Sequence, residues 1–294
     1  MRFVSKYFAV LAGLGLMLTA WPALADLPQH GPQKMVLGFQ PAATEVARQI
    51  QIFHDHWVFP IIAGIVVLVM ALMLYAMIRF NRKANPEPAR FSHNSTVEVI
   101  WTLVPVLILV IIAVPSFRLL FLEDDIPDAD MTVKATGSQW YWDYEYTDPA
   151  GDADKTFSYS SIMLDEAADR KAGKPRLLGV DNPMVVPAGK IIRVVVTGAD
   201  VIHSFAVPSF GVKIDAVPGR LNETWFKVDE PGIYYGQCSE LCGANHAFMP
   251  IEVDVLPQAD YDAWFAKTQA EYASLNNLDG VRLASADNGL RITK

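Results

Sequence analysis

Two long apolar runs constrain this chain more than any other feature. Residues 57–78 and 99–117 contain no charged side chain. At about 1.5 Å per residue, each run is close to the length that crosses the hydrocarbon core of a bilayer. Neither run shows a polar face, which argues against the alternative of two buried helices in a soluble domain. We therefore predict a hairpin of two transmembrane helices, at about 57–78 and 99–122.

The charges that flank these runs predict their orientation. The outer flanks are acidic, with Asp55 before the first run and Glu123 after the second. The short loop between the runs carries one acid, Glu87, and four cations: Arg79, Arg82, Lys83 and Arg90. Basic loops stay on the cytoplasmic side of a membrane. We therefore expect the loop in the cytoplasm and both mature termini outside it.

The N-terminus has the pattern of a secretory signal peptide. A positive start at Arg2 and Lys6 precedes an apolar stretch, and Ala23-Leu24-Ala25 forms a small-residue cleavage site. We predict a signal peptide at 1–25. The alternative is an uncleaved membrane helix.

The hydrophobic pattern changes after the second apolar run. From about 131 to 256, short alternating runs are separated by Gly, Pro, Asn and Asp, which is typical of an all-β sandwich or barrel. The charged segment 147–174 lacks this periodicity and is expected to be a surface excursion. Strands are expected near 131–136, 139–146, 184–187, 191–197, 203–207, 224–228, 232–237 and 251–255.

The end of the chain returns to helical spacing. Four aromatic residues predict a short amphipathic helix, followed by a loose tail from about Asn276; they are Tyr261, Trp264, Phe265 and Tyr272. The predicted fold class is thus an α+β membrane protein. It has an N-terminal segment and helical hairpin at 26–122, an extracytoplasmic β-domain at 123–257, and a C-terminal helix and tail at 258–294.

The predicted β-domain is strongly acidic. Residues 123–258 contain 22 Asp and Glu against 11 Lys and Arg, a net charge of −11. Part of this excess is an ordinary solvated surface. A field of this size also attracts a basic partner and speeds its encounter with the domain.

One segment of the β-domain carries its metal chemistry. Cys238, Cys242, His246 and Met249 follow the spacing Cys-x3-Cys-x3-His-x2-Met, and His203 is the only other histidine between 123 and 257. Thiolate, imidazole and thioether are soft ligands that favour copper over calcium or magnesium. Zinc also accepts two Cys and two His, and in an oxidising compartment a disulfide is a further alternative. Because zinc would not need the methionine, copper explains the whole segment best.

The second cysteine indicates two copper ions. A single blue-copper site needs only one thiolate, whereas two thiolates can bridge two ions. Each ion then takes one histidine and one weak axial ligand. Met249 can be one axial ligand, and the backbone carbonyl of Glu240, between the cysteines, is well placed to be the other.

At this point the residues match a known family. The chain resembles subunit 2 of the bacterial and mitochondrial haem–copper cytochrome c oxidases. The resemblance spans about 57–264. It is carried by Glu98-Val-Ile-Trp-Thr-Leu-Val-Pro105, Gln139-Trp-Tyr-Trp-Asp-Tyr-Glu-Tyr146, Asp200-Val-Ile-His-Ser-Phe-Ala-Val-Pro208, Asp215-Ala-Val-Pro-Gly-Arg220 and the cysteine segment.

The resemblance implies a cupredoxin β-barrel on a two-helix anchor, holding the binuclear copper centre CuA. The implied copper ligands are His203, Cys238, the Glu240 carbonyl, Cys242, His246 and Met249. The Glu240 carboxylate would also reach a magnesium ion shared with subunit 1.

The implied function is electron relay. Cytochrome c would give electrons to CuA, and CuA would pass them to the haem of subunit 1, where oxygen is reduced to water and protons are pumped. The implied partners are subunit 1, the other oxidase subunits and the lipid bilayer of the cell's inner membrane. No nucleic-acid partner is expected.

The resemblance also assigns roles outside the metal site. Trp140 would be the entry point for electrons, although an aromatic residue can simply be part of the core. Glu145, Asp181 and Asp200 would dock cytochrome c. Glu98 would lie at the mouth of a proton-uptake channel, although a carboxylate at a helix N-terminus is also favoured by the helix dipole.

Three other functions are associated with a similar helical hairpin, β-domain or copper motif. A quinol-oxidase subunit 2 would lack the metal ligands. A nitrous-oxide reductase would need a large catalytic domain for which this chain has no room. A copper carrier would bind one labile ion and would not need a two-helix anchor.

Overall fold

The computed structural model describes residues 27–33, 36–87, 89–147 and 156–287, with side chains described as far as residue 272. The predicted signal peptide at 1–25 lies outside these residues, as do residues 288–294 of the predicted tail.

The first long helix begins well before the first apolar run. Thr44 caps its N-terminus by accepting a hydrogen bond from the Ala47 N–H, at 3.0 Å. The helix comprises α1 (Glu45–Phe53), a π-helical segment (His54–Val58) and α2 (Phe59–Arg79). Glu45–Arg79 is therefore one continuous helix, and it is long and apolar enough to cross a membrane.

The second long helix completes the hairpin. α3 (Ser95–Asp124) is capped by the Asn94 side chain and contains Pro105 and Pro115. It too is long and apolar enough to span a bilayer. The apolar side chains of both helices face outward and have no core of their own to cover them.

The described residues of the β-domain form two sheets and a short ribbon. The strands are β1 (Gln29–His30), β2 (Met131–Ser138), β3 (Tyr141–Tyr146), β4 (Phe157–Ser161), β5 (Met184–Pro187), β6 (Ile191–Gly198), β7 (His203–Val207), β8 (Val212–Ala216), β9 (Asn222–Lys227), β10 (Gly232–Gln237) and β11 (Pro250–Leu256). Their order is β4-β3-β2-β6-β9 in one sheet and β1-β10-β11-β5 in the other, while β7 and β8 form the two-stranded ribbon.

Alternating apolar residues of the two sheets form the core between them. In β2 and β6, successive side chains are buried and part-buried in turn, as expected when one face of a sheet points inward. Each fully buried aliphatic or aromatic side chain stabilises the fold by about 1.5–3 kcal/mol. The core thus gives the loops at the sheet ends a rigid base.

One element contradicts the sequence-based expectation for 147–174. That segment contains β4, which pairs antiparallel with β3 and buries Phe157 and Tyr159. The strand was hidden because its inward-facing aromatic residues are surrounded by a strongly polar sequence. A short helix, α4 (Glu166–Ala172), follows it.

The expected strand at 139–146 is also shorter than predicted. It begins at Tyr141, because Gln139 and Trp140 form the two-residue turn between β2 and β3, where Ser138 pairs with Tyr141. Strand alternation over 139–146 would place Trp140 and Trp142 on one face of the sheet, and the turn prevents this. Trp142 is fully buried, whereas Trp140 is only part-buried.

The C-terminal helix is longer than the sequence indicated. α5 (Gln258–Asp287) continues past Asn276, where a loose tail was expected. Its first half packs on β4: the Phe265 ring lies 5.1 Å from that of Phe157, and the Trp264 and Tyr272 rings lie 6.1 Å from it. Aromatic pairs at these distances attract each other.

Candidate metal centre

The two cysteines meet in a loop between β10 and β11. Cys238 follows the last residue of β10, and both thiols are buried and free. Their sulfur atoms lie 3.9 Å apart, nearly twice the roughly 2.05 Å of a disulfide bond. A metal ion with thiolate bonds of about 2.3 Å can contact both sulfurs at this separation.

The two histidines and the methionine surround these sulfurs. His203 Nδ1 lies 4.0 Å from Cys238 Sγ, and His246 Nδ1 lies 3.6 Å from Cys242 Sγ. Met249 Sδ lies 3.5 Å from Cys242 Sγ. The ligand atoms of His203, Cys238 and Cys242 all lie within 4.8 Å of one another. All five predicted side-chain ligands are therefore gathered at one place.

Glu240 presents its backbone and its side chain to different surroundings. Its carbonyl oxygen lies 3.3 Å from Cys238 Sγ, beside the sulfur pair. Its side chain is exposed and makes no hydrogen bond or ion pair with the described part of the chain. The arrangement fits a carbonyl ligand on the metal side and leaves the carboxylate free for another contact.

Three of the ligands lie at the ends of β-strands, which hold them in place. His203 starts β7, Cys238 follows β10, and Met249 precedes β11. Gly137 in β2 makes room for the histidine, since a Cβ at this position would lie 2.9 Å from the His203 Cγ. The Trp142 indole N–H donates to the Met249 carbonyl at 3.4 Å.

Asp200 orients the buried histidine. His203 is fully buried, and its Nε2 lies 2.8 Å from Asp200 Oδ1. The carboxylate also accepts hydrogen bonds from the backbone N–H groups of Val201, at 2.7 Å, and Gln139, at 2.8 Å. A carboxylate on the far ring nitrogen fixes the tautomer that leaves Nδ1 free to bind metal.

These contacts also set the charge of Asp200. Burial alone would raise the pKa of this carboxyl, but the hydrogen bonds from His203, Val201 and Gln139 outweigh burial, so its pKa is held below the ordinary value. Asp200 is therefore ionised at neutral pH and accepts the ring N–H as a carboxylate.

Without metal, the Cys242 thiol is resistant to ionisation. Burial, followed by the nearby Cys238 sulfur, raises the pKa of Cys242 to about 12. Cys242 therefore keeps its proton at neutral pH. Metal binding must release that proton, which makes the affinity dependent on pH.

Trp140 packs directly against the metal-binding loop. A Cβ at Gly243, which follows Cys242, would lie 3.1 Å from Trp140 Cζ2. The Trp140 side chain is part-buried, and its Nε1 has no hydrogen-bond partner within the described ranges. The indole is thus next to the ligand loop and keeps part of its surface exposed.

The other predicted acids lie in different settings. Glu145 is half-exposed and pairs with Lys134 Nζ at 3.2 Å, which offsets its charge. Asp181 is exposed and accepts hydrogen bonds from the backbone N–H groups of Ile162 and Asn182, both at 2.7 Å.

Glu98 lies outside the β-domain, in the first turn of α3. One carboxylate oxygen accepts a hydrogen bond from the Asn94 N–H at 3.3 Å. This contact adds a capping interaction to the favourable helix dipole at this position. The carboxylate also lines a surface groove with Thr102 and Leu103.

The structure adds supporting residues that sequence reasoning missed. The Asp200-x2-His203 spacing is a signal for the histidine's partner, whereas the resemblance assigns Asp200 only to docking. Gly137 and Gln139 gave no local signal, because they meet His203 and Cys242 only after the β2–β3 turn folds across the loop.

Comparison with known proteins agrees with this geometry. A family model described as "Cytochrome C oxidase subunit II, periplasmic domain" matches residues 131–256. A second, "Cytochrome C oxidase subunit II, transmembrane domain", matches residues 32–119. The two matches follow the division between the β-domain and the helical hairpin, which identifies the chain as a membrane protein with a cupredoxin-like domain.

Individual relatives carry the same name. A probable cytochrome c oxidase subunit 2 of Rickettsia bellii (strain RML369-C) is 48% identical over 275 residues, covering 94% of this chain and 97% of that protein. Cytochrome c oxidase subunit 2 of Cereibacter sphaeroides is 46% identical over 264 residues, covering 84% and 85% respectively.

Among solved structures, the periplasmic domain of subunit II of cytochrome oxidase from Bradyrhizobium japonicum is 54% identical to this chain, with a TM-score of 0.45, and covers 50% of this chain and 99% of that one. The identity to the Rickettsia protein over nearly the full length of both chains, together with the two family matches, leads to one conclusion: the chain belongs to the cytochrome c oxidase subunit 2 family.

Proposed function

We propose that this chain is the electron-entry subunit of a cytochrome c oxidase. It would accept electrons from cytochrome c and pass them to the haem of subunit 1, where oxygen is reduced to water with proton pumping. The observation that carries the proposal is the pair of free, buried thiols 3.9 Å apart, with His203, His246 and Met249 around them.

The ligand set favours a two-copper centre over the alternatives. The two thiols are free and not bonded to each other, and a soft thioether beside a thiol favours copper over zinc. When bound, copper supplies reversible one-electron chemistry. The protein holds His203, Cys238, the Glu240 carbonyl, Cys242, His246 and Met249 ready as ligands on a rigid sheet, so little rearrangement is needed between redox states.

The residues around the centre would have separate roles in electron entry, ligand orientation and docking. The part-exposed Trp140 indole would receive electrons from the docked donor, because it packs on the loop that carries Cys242. Asp200 would hold the His203 ring. Glu145 and Asp181 would attract a basic cytochrome c, within the larger acidic field of the domain.

Two further proposals concern the partner subunit. The free Glu240 carboxylate would contribute to a magnesium site shared with subunit 1, since carboxylate oxygen is a preferred ligand of that ion. Glu98, at the loop end of α3, would lie at the entrance of a proton path in subunit 1. The proposed location is the inner membrane, with the copper domain and both mature termini in the periplasm.

Purification of the tagged chain from its membrane tests the proposal. We expect haem to copurify and reduced cytochrome c to be oxidised with consumption of oxygen. Cys242→Ser should abolish this activity. Ser239→Ala, a matched change at an exposed serine of the same loop, should leave it intact. A preparation without haem, or native turnover in Cys242→Ser, would contradict the proposal.

A further inference from the structure

The turn between β2 and β3 joins two parts of the ligand set that are far apart in sequence. Gln139 is an exposed residue of this turn, yet its side-chain amide donates a hydrogen bond to the Cys242 carbonyl at 2.7 Å. The two residues are separated by 103 positions. The bond fixes the backbone of one cysteine ligand to a rigid hairpin.

The backbone of the same glutamine reaches the other side of the centre. Its N–H donates to Asp200 Oδ2 at 2.8 Å, and Asp200 Oδ1 lies 2.8 Å from His203 Nε2. Gln139 therefore connects Cys242, on the loop, with His203, on β7, through three hydrogen bonds and the Asp200 carboxylate.

The Cys242 loop and the β2–β3 turn are closely packed, so the hydrogen-bonded connection between them has little freedom to move. A Cβ at Gly243 would lie 3.1 Å from Gln139 Nε2 and 3.1 Å from Trp140 Cζ2. Gly243 also has a φ of +124°, which side chains other than glycine rarely adopt. The loop backbone can therefore lie flat against the Gln139–Trp140 turn.

We propose that Gln139 is a positioning residue for the metal centre. Its amide holds the Cys242 loop at a fixed distance from His203, and the same turn presents Trp140 to that loop. Loss of the amide frees the loop on one side while the Asp200 bond to the backbone N–H remains. The spacing of the two ligands then becomes variable, and metal is released more readily.

This inference rests on the proposed copper centre, and its test separates the two. The intact oxidase is compared as wild type, Gln139→Leu and Gln237→Leu. Gln237 is an exposed glutamine directly before Cys238, and its side chain makes no hydrogen bond within the described ranges. Gln237→Leu is thus the same substitution beside a ligand, without the loss of a side-chain hydrogen bond.

Release of copper to a chelator and the paramagnetic resonance spectrum are the readouts. Loss of an outer partner of a metal ligand typically costs 10–100-fold in affinity, so we expect copper release to be about tenfold faster in Gln139→Leu. The spectrum should broaden, since the ligand geometry varies. Gln237→Leu should match the wild type. Gln139→Lys, which restores a donor of similar reach, should recover most of the retention.

Three outcomes would overturn the assignment. One is a native release rate and spectrum in Gln139→Leu. Another is an equal effect in Gln237→Leu, which would show that the loop responds to any change. If Gln139→Leu does not assemble, Gln139→Lys must restore assembly, and its failure would also count against positioning. Absence of copper from the wild type would instead contradict the proposed function.

Discussion

Replacing Asp200 distinguishes two roles proposed for this residue. One role is to hold the His203 ring, and the other is to dock cytochrome c. Removing its side chain in Asp200→Ala deletes acceptors for the His203 ring and for the N–H groups of Val201 and Gln139. Each bond to a charged, part-exposed acceptor contributes about 1 kcal/mol, and the unpaired buried ring adds to this cost. We expect the free energy of unfolding of the β-domain to fall by about 2–4 kcal/mol.

The same change should loosen the metal centre. Without Asp200, the His203 ring can turn or change tautomer, so Nδ1 no longer faces the sulfurs consistently. Urea denaturation of the β-domain measures stability, and a chelator time course on the complex measures copper retention. Copper should leave the variant at least about tenfold faster.

Asp181→Ala is the matched control. This acid also belongs to the predicted docking set, but among the described residues its side chain accepts hydrogen bonds only from the backbone N–H groups of Ile162 and Asn182. Its removal should affect the Michaelis constant for cytochrome c and leave copper unchanged. If Asp200→Ala behaves in the same way, with native copper retention and stability within about 0.5 kcal/mol, the positioning argument is wrong.

Four other predictions follow from the geometry. Trp140→Ala should slow electron transfer within a preformed complex at low salt by orders of magnitude while copper content stays native; transfer at the native rate would show that the indole only packs. Neutralising Glu145 and Asp181 together should raise the Michaelis constant for a basic cytochrome c and flatten its salt dependence, because exposed charges act collectively and are screened. Glu98→Ala should slow steady-state turnover with copper spectra intact; if turnover stays normal, Glu98 serves only the helix cap. Burial, with repulsion from a neighbouring glutamate, raises the pKa of Asp254 to about 7, so the folded domain retains a proton that the unfolded chain releases near pH 4. Stability should therefore fall as the pH rises from about 4 to about 7, and a denaturation series of Asp254→Asn should lose most of that slope.

The sequence predicted those parts of the structure that depend on local pattern. Uncharged apolar runs gave the two helices, and alternation gave β5, β7 and β10 with their observed bounds. The spacing of Cys238, Cys242, His246 and Met249 was enough to predict one loop, because ligands within a few residues of each other can close on a single centre.

Parts that depend on tertiary contact were not predictable in this way. β4 forms because Phe157 and Tyr159 meet β3 and α5, although the surrounding sequence is polar. Trp140 lies outside the strand because Gln139 and Trp140 form the two-residue turn that connects β2 to β3. The hydrogen bond between Gln139 and Cys242 joins residues 103 positions apart in the sequence. It depends on how the β2–β3 turn folds back over the loop.

The copper content and spin state of the purified chain test the central claim most directly. Two buried thiols shared by two histidines and a methionine predict two copper ions per chain, with one unpaired electron shared between them in the oxidised form. Elemental analysis gives the ratio, and paramagnetic resonance shows the sharing as a hyperfine pattern from both nuclei. One copper per chain with an ordinary single-copper spectrum would contradict the account.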